Sequence, residues 1–157
     1  MDRRTPWVLL AYRLPREPST PRITLWRQLR RLGVGQIADG VVALPLDART
    51  RERFDWLAQE VIENGGEATV WLAEPGSAAQ ERALAAEMAA TVAADYAQVV
   101  DEAMAQAYEP ETVRRRTVAR LRRELRRIGS RDYFSGPIAE RARAAVDALG
   151  DSLEAVS

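Results

Sequence analysis

The chain of 157 residues carries 23 basic and 23 acidic side chains, so no net field draws it to nucleic acid or membrane, and its 46% apolar content is enough for a packed core. It has no Cys, no His and no Lys, so every basic side chain is Arg. These absences exclude thiolate and imidazole metal sites, cysteine nucleophiles, lysine Schiff bases and Ser-His-Asp triads, and they leave only carboxylates for hard cations. No metal, cofactor or catalytic group is expected. With no disulfide and no apolar run of membrane-spanning length, a cytoplasmic location without membrane contact is expected. Arg3-Arg4 ahead of Trp7 hints at a signal peptide, but Arg13 interrupts the apolar run too early.

In chain order, residues 7–14 read as a strand apolar on both faces, which suits a central position in a sheet. Pro15, Pro18 and Pro21 force a loop, and Ser19 or Thr20 caps a helix to Leu32, where Gly33 supplies a left-handed stop. On that helix Ile23, Trp26, Leu29 and Leu32 fall on one predicted core stripe, with Arg22, Arg27, Arg30 and Arg31 pointing away. Residues 34–37 and 41–44 form a hairpin about Ala38-Asp39-Gly40. Asp47 caps a second helix carrying Phe54, Leu57, Ala58, Val61 and Ile62, Gly65-Gly66 ends it, and residues 68–73 make a last strand.

From Ser77 onward the pattern is helical. An Ala-rich helix spans residues 78–107, with Leu84, Met88, Val92, Tyr96, Val99 and Ala103 in register; Pro110 opens a second, with Val113, Thr117, Leu121, Leu125 and Ile128; a third covers residues 138–149. Gly129 and Gly150 read as the stops of the last two. The expectation is an α+β chain: a ferredoxin-like βαββαβ domain over residues 1–75, followed by a three-helix extension over residues 76–157 packed on it.

Charge is segregated along this map. Residues 1–33 carry +6, residues 74–111 carry −7 and residues 112–129 carry +7, so the last two helices of opposite sign are natural antiparallel neighbours. Arg115, Arg116, Arg122, Arg123 and Arg126 form a secondary basic face on the +7 helix, where ion pairing with the acidic helix is the favoured explanation. The first segment has no such neutraliser. Arg13, Arg16, Arg22, Arg27, Arg30 and Arg31 offer planar forks suited to phosphate or a tetrahedral oxyanion, near the positive end of the first helix. The four Trp residues read as packing groups, Trp26 and Trp56 from core-facing helix positions. Asp132, Tyr133 and Phe134 make a motif loop in which a cap or an Arg pair explains the carboxylate.

WVLLAYRLPREPST, LWRQLRRLG, GVVALP and WLAQEVIENGGEATVWLAEP, with RDYFSGP at residues 131–137, resemble the N-terminal domain of the chromate resistance regulator ChrB. The resemblance implies a chromate-resistance protein acting as a non-enzymatic transcriptional regulator or accessory factor, dimeric, with DNA or the chromate oxyanion as its ligand. More distantly the βαββαβ part is similar to the Cas2-like domain of PaaX-type repressors. That leaves a Cas2-like metal-dependent nuclease as one alternative, although Tyr12 is followed by Arg13 where those nucleases carry Tyr-Asp. A scaffold for a partner that carries the family's C-terminal domain is another.

Overall fold

A computed structural model describes residues 6–154, and the Arg3-Arg4 pair lies outside the described residues. The element order is β1 (Trp7–Arg13), α1 (Thr20–Leu32), β2 (Gly35–Ala38), β3 (Val41–Pro45), α2 (Ala48–Glu63), β4 (Glu67–Ala73), α3 (Ala78–Ala105), α4 (Glu111–Ser130) and α5 (Pro137–Glu154). The chain is α+β and divides into two units, Met1–Met88 and Ala89–Ser157, with α3 running through the division. No helix among the described residues is long and apolar enough to cross a membrane.

In the first unit the strands form one antiparallel sheet in the order β2-β3-β1-β4. β1 is central because nothing charged interrupts it before Arg13. Val8 and Leu10 stand opposite Leu44 and Val42 on β3, and all four are fully buried. α2 packs on β1 and β4 through Phe54, Leu57, Ala58 and Val61. Burying a side chain such as Phe54 removes enough apolar surface to stabilise the fold by about 2 kcal/mol. The hairpin turns at Asp39-Gly40, where Gly40 holds φ 74°, and Gly33 ends α1 at φ 74° with its N–H donated to the Arg30 carbonyl.

α2 begins in a reciprocal cap. The Asp47 carboxylate accepts from the Thr50 N–H at 2.7 Å, the Asp47 N–H donates to Thr50 Oγ1 at 3.0 Å, and the Thr50 hydroxyl donates to the Pro45 carbonyl at 2.7 Å. Thr50 is only 1% exposed, so its hydroxyl joins the end of β3 to the start of α2 without water. β4 is an edge strand that pairs with β1 along its whole length, from Trp7↔Ala73 to Arg13↔Glu67.

The second unit is a helical core. Val92, Tyr96, Val99 and Ala103 of α3 meet Val118, Leu121 and Ile128 of α4 and Ala139, Ala142, Val146 and Leu149 of α5. The stripe expected on α4 faces this core through Thr117, Leu121, Leu125 and Ile128, joined by Val118, while Val113 at the start of the helix is 38% exposed. Gly129 is helical rather than a stop, since α4 runs to Ser130 and closes on Arg131. Gly150 likewise lies inside α5 and is buried. A Cβ at position 150 would stand 2.9 Å from a terminal nitrogen of Arg122, the far end of a flexible side chain on the neighbouring helix.

Candidate nucleic-acid interface

α1 has the sequence TPRITLWRQLRRL, with no acidic side chain. Leu25 and Leu29 are the residues it buries, which sets its rotation about its own axis. The expected stripe through Ile23 and Trp26 is therefore wrong: Ile23 is 47% and Trp26 57% exposed. Leu25, Leu29 and Leu32 also recur at helical spacing, and this alternative stripe shares two members with the expected one.

The correction changes what the helix displays. Arg22, Trp26 and Arg30 follow one another every four residues on the solvent side, with Arg27 and Arg31 beside them, all exposed. The guanidinium carbon of Arg30 lies 4.9 Å from the Trp26 ring centroid, a cation–π contact that holds the indole against one face. Arg22, Arg27, Arg30 and Arg31 form no ion pair with another described residue. Four cations and an indole are thus spread over the solvent-facing half of the helix, with Trp26 between Arg22 and Arg30.

The other members of the first basic segment are placed differently. Arg13 donates to Glu67 across the β1–β4 pair at 3.4 Å, so the segment does have a neutraliser at this position, although both side chains are more than 80% exposed and the pair is weak. Arg16 is exposed on the loop between β1 and α1. The N-terminus of α1 borders a groove of about 210 Å³ whose lining includes Glu60. That carboxylate opposes the positive end of the helix, so this end is poorly suited to an anion. Ser19 makes no side-chain cap there.

The secondary basic face is partly occupied. Arg115 pairs with Glu111 at 2.6 Å within α4, and Arg127 pairs with Glu124 in the same helix. Arg120, which grips the Glu102 carboxylate, and Arg131, 3.0 Å from Asp95, reach the acidic α3. Arg122 packs over Gly150, while Arg116, Arg123 and Arg126 are exposed without an ion pair among the described residues.

In the loop after α4, Asp132 neither caps a helix nor pairs with Arg. Its carboxylate accepts from the Tyr96 hydroxyl at 3.2 Å, the Phe134 N–H at 3.2 Å and the Ser135 hydroxyl at 3.3 Å, which ties the loop to the core of the second unit. Burial first and the neighbouring Asp132 second raise the Tyr96 pKa above the usual tyrosine value. Tyr133 and Phe134 are half-buried beside it. Trp56 and Trp71, expected to pack, are 67% and 59% exposed, and Trp7 is the one tryptophan of four held in the core. Among the described residues no group of three or more acidic side chains is placed to hold a metal ion.

A family model described as "Protein ChrB, N-terminal" matches residues 22–117, which begins at the first arginine of the α1 face and ends within α4. No curated protein and no solved structure matches the chain.

Proposed function

We propose, since the chain belongs to the ChrB N-terminal family, that it is a chromate-resistance-associated regulatory protein whose α1 surface binds nucleic acid. The observation that carries this reading is the exposed Trp26, stacked on one side by Arg30 in a helix face of unpaired arginines. Arginine forks neutralise phosphates, and an indole held on one side offers its other side to an unstacked base. The same arginines suit an oxyanion such as chromate, which would compete with phosphate for them. The role is read as non-enzymatic. The first unit is read as ferredoxin-like and Cas2-like, supported by the βαββαβ order and by β1 standing between β3 and β4. A second copy pairing through the sheet is part of the same reading, supported by Trp71 and Leu72 standing half-exposed on edge strand β4.

The test is fluorescence anisotropy of labelled DNA from upstream of the protein's own gene, duplex and single-stranded, at two salt concentrations with and without chromate. The expected result is binding that weakens with salt and with chromate. Trp26→Ala should lower single-strand affinity by about tenfold, and Arg22→Ala with Arg27→Ala should flatten the salt dependence. Binding that all three substitutions leave unchanged would refute the assignment of this face.

A further inference from the structure

The face of the sheet opposite Val8 and Leu10 carries Trp7 and Leu9, which stand across from Ala73 and Trp71 on β4. The first turns of α3 lie close to this face. A Cβ on the buried Gly35 of β2 would stand 2.6 Å from Leu84 Cδ1 and 2.9 Å from Met88 Sδ, so the helix approaches β2 as nearly as a residue without a side chain allows. Beside that approach the sheet and helix leave a cleft of about 380 Å³.

Its lining is largely apolar, with Trp7, Leu9 and Leu84 contributing. Every charged side chain in the lining is a carboxylate: Glu74, Glu81 and Glu87, with no arginine. This composition stands out in a chain with as many arginines as acids. Glu74 and Glu81 form no ion pair with another described residue. An anion placed here would meet the negative charge of Glu74 and Glu81.

We propose that this cleft is a binding site for a small apolar cation: an aromatic body against Trp7, Leu9 and Leu84, with an ammonium group directed at Glu74 and Glu81. The volume lies within the range of small-molecule sites, where apolar walls supply affinity and a few polar groups set orientation. The aromatic floor and the carboxylates act in the same direction, since both attract positive charge. The site goes beyond the nucleic-acid reading and uses none of the α1 residues, so either assignment can fail alone.

The experiment is calorimetric titration of the full chain with three probes of one shape: 2-naphthylmethylammonium, 2-naphthylmethanol and 2-naphthoate. The ammonium should bind about tenfold tighter than the alcohol, from two solvated carboxylates of modest strength each, and the naphthoate weakest. Glu74→Gln with Glu81→Gln should bring the ammonium down to the alcohol and leave the alcohol unchanged. Leu84→Trp should fill the cleft and abolish both; if circular dichroism shows that it does not fold, the exposed rim substitution Ala83→Phe takes its place. Equal binding of all three probes, ammonium binding untouched by the glutamine pair, or no heat from any probe overturns the proposal. Apparent affinity that falls as the protein is concentrated into dimers also overturns it, by assigning the cleft to a second copy.

Discussion

Gly66→Ala should be among the most damaging single substitutions in the first unit, and the structure sets its magnitude. Gly66 donates its N–H to the Val61 carbonyl at 2.9 Å, which ties it to the end of α2, while the Arg13 carbonyl approaches from the end of β1. A Cβ at position 66 would stand 2.3 Å from that oxygen, 2.8 Å from Val61 Cγ1 and 3.0 Å from Leu14 Cδ2. The closest obstacle is main chain and cannot rotate away. Real Cβ atoms essentially never approach within 3.0 Å, so the two segments must part by at least 0.7 Å. That lengthens a normal ladder bond of about 2.9 Å to roughly 3.6 Å and breaks the last rungs between β1 and β4. Two lost hydrogen bonds at about 1 kcal/mol each, with the packing strain of an inserted methyl, total about 3 kcal/mol. All four tryptophans lie in the first unit, so tryptophan fluorescence during urea unfolding follows that unit alone. The midpoint should fall by about 3 M at an m-value of ~1 kcal/mol/M. Val61→Ala in the same chain should give no rescue, since it clears the 2.8 Å contact and leaves the 2.3 Å one. A midpoint within about 0.5 M of the parent, or a clear rescue by Val61→Ala, would show that the carbonyl is not the obstacle.

Thr50→Val keeps the shape of the α2 cap but removes the hydroxyl that serves Pro45 and Asp47; at 1% exposure no water replaces it, and fluorescence-monitored unfolding should record a loss of about 2 kcal/mol. Tyr96 ionises less readily in the folded chain than in the unfolded one, whose tyrosines titrate near 10.0. Stability is therefore intact below pH 10.0 and falls as pH rises above it, because the unfolded chain releases the Tyr96 proton first. Tyr96→Phe should cost about 1 kcal/mol at neutral pH and reduce the alkaline slope of the second unit, measured by circular dichroism. Gly150→Ala should stabilise α5 by about 0.5–1 kcal/mol, since the nearest atom to the new methyl is the tip of the Arg122 side chain, which can swing aside while helix propensity improves. A loss of stability that Arg122→Ala relieves would show instead that the guanidinium is held in place.

Much of the first unit was legible because its boundaries are punctuated. Pro15, Pro18 and Pro21, then Gly33, Asp39-Gly40, Asp47 and Gly65-Gly66, separate short apolar runs whose period changes between strand and helix. The rotation of α1 was not legible. Ile23, Leu25, Trp26, Leu29 and Leu32 support two overlapping stripes, and only tertiary packing, in which α1 meets α2, selects Leu25 and Leu29. That choice decides whether Trp26 is core or surface, and the candidate site turns on it. Segment charges suggested broad pairing of α3 with α4, but Arg115 and Arg127 find acids within their own helix. Proximity along one helix is available before the bundle forms. The role of Asp132 needed a tyrosine 36 residues earlier in the chain, and the cleft below α3 needs residues from β1, β4 and α3 at once. Neither leaves a local trace.

The outer side of β4 has a consequence for how the protein behaves at high concentration. The run ATVWLA within Glu67–Ala73 is uncharged, and Trp71 and Leu72 in it stand more than half exposed, a composition from which ordered aggregates grow. Glu67 before the run and Glu74 after it act as gatekeepers, because stacking such strands in register would bring like charges together at both ends. Arg13 already compensates Glu67, which leaves Glu74 as the stronger guard. Replacing both carboxylates by neutral side chains removes the guard while the apolar run stays unchanged. A chain with both guards neutralised should therefore lose soluble material faster on concentration than the parent, although no residue of the core has changed.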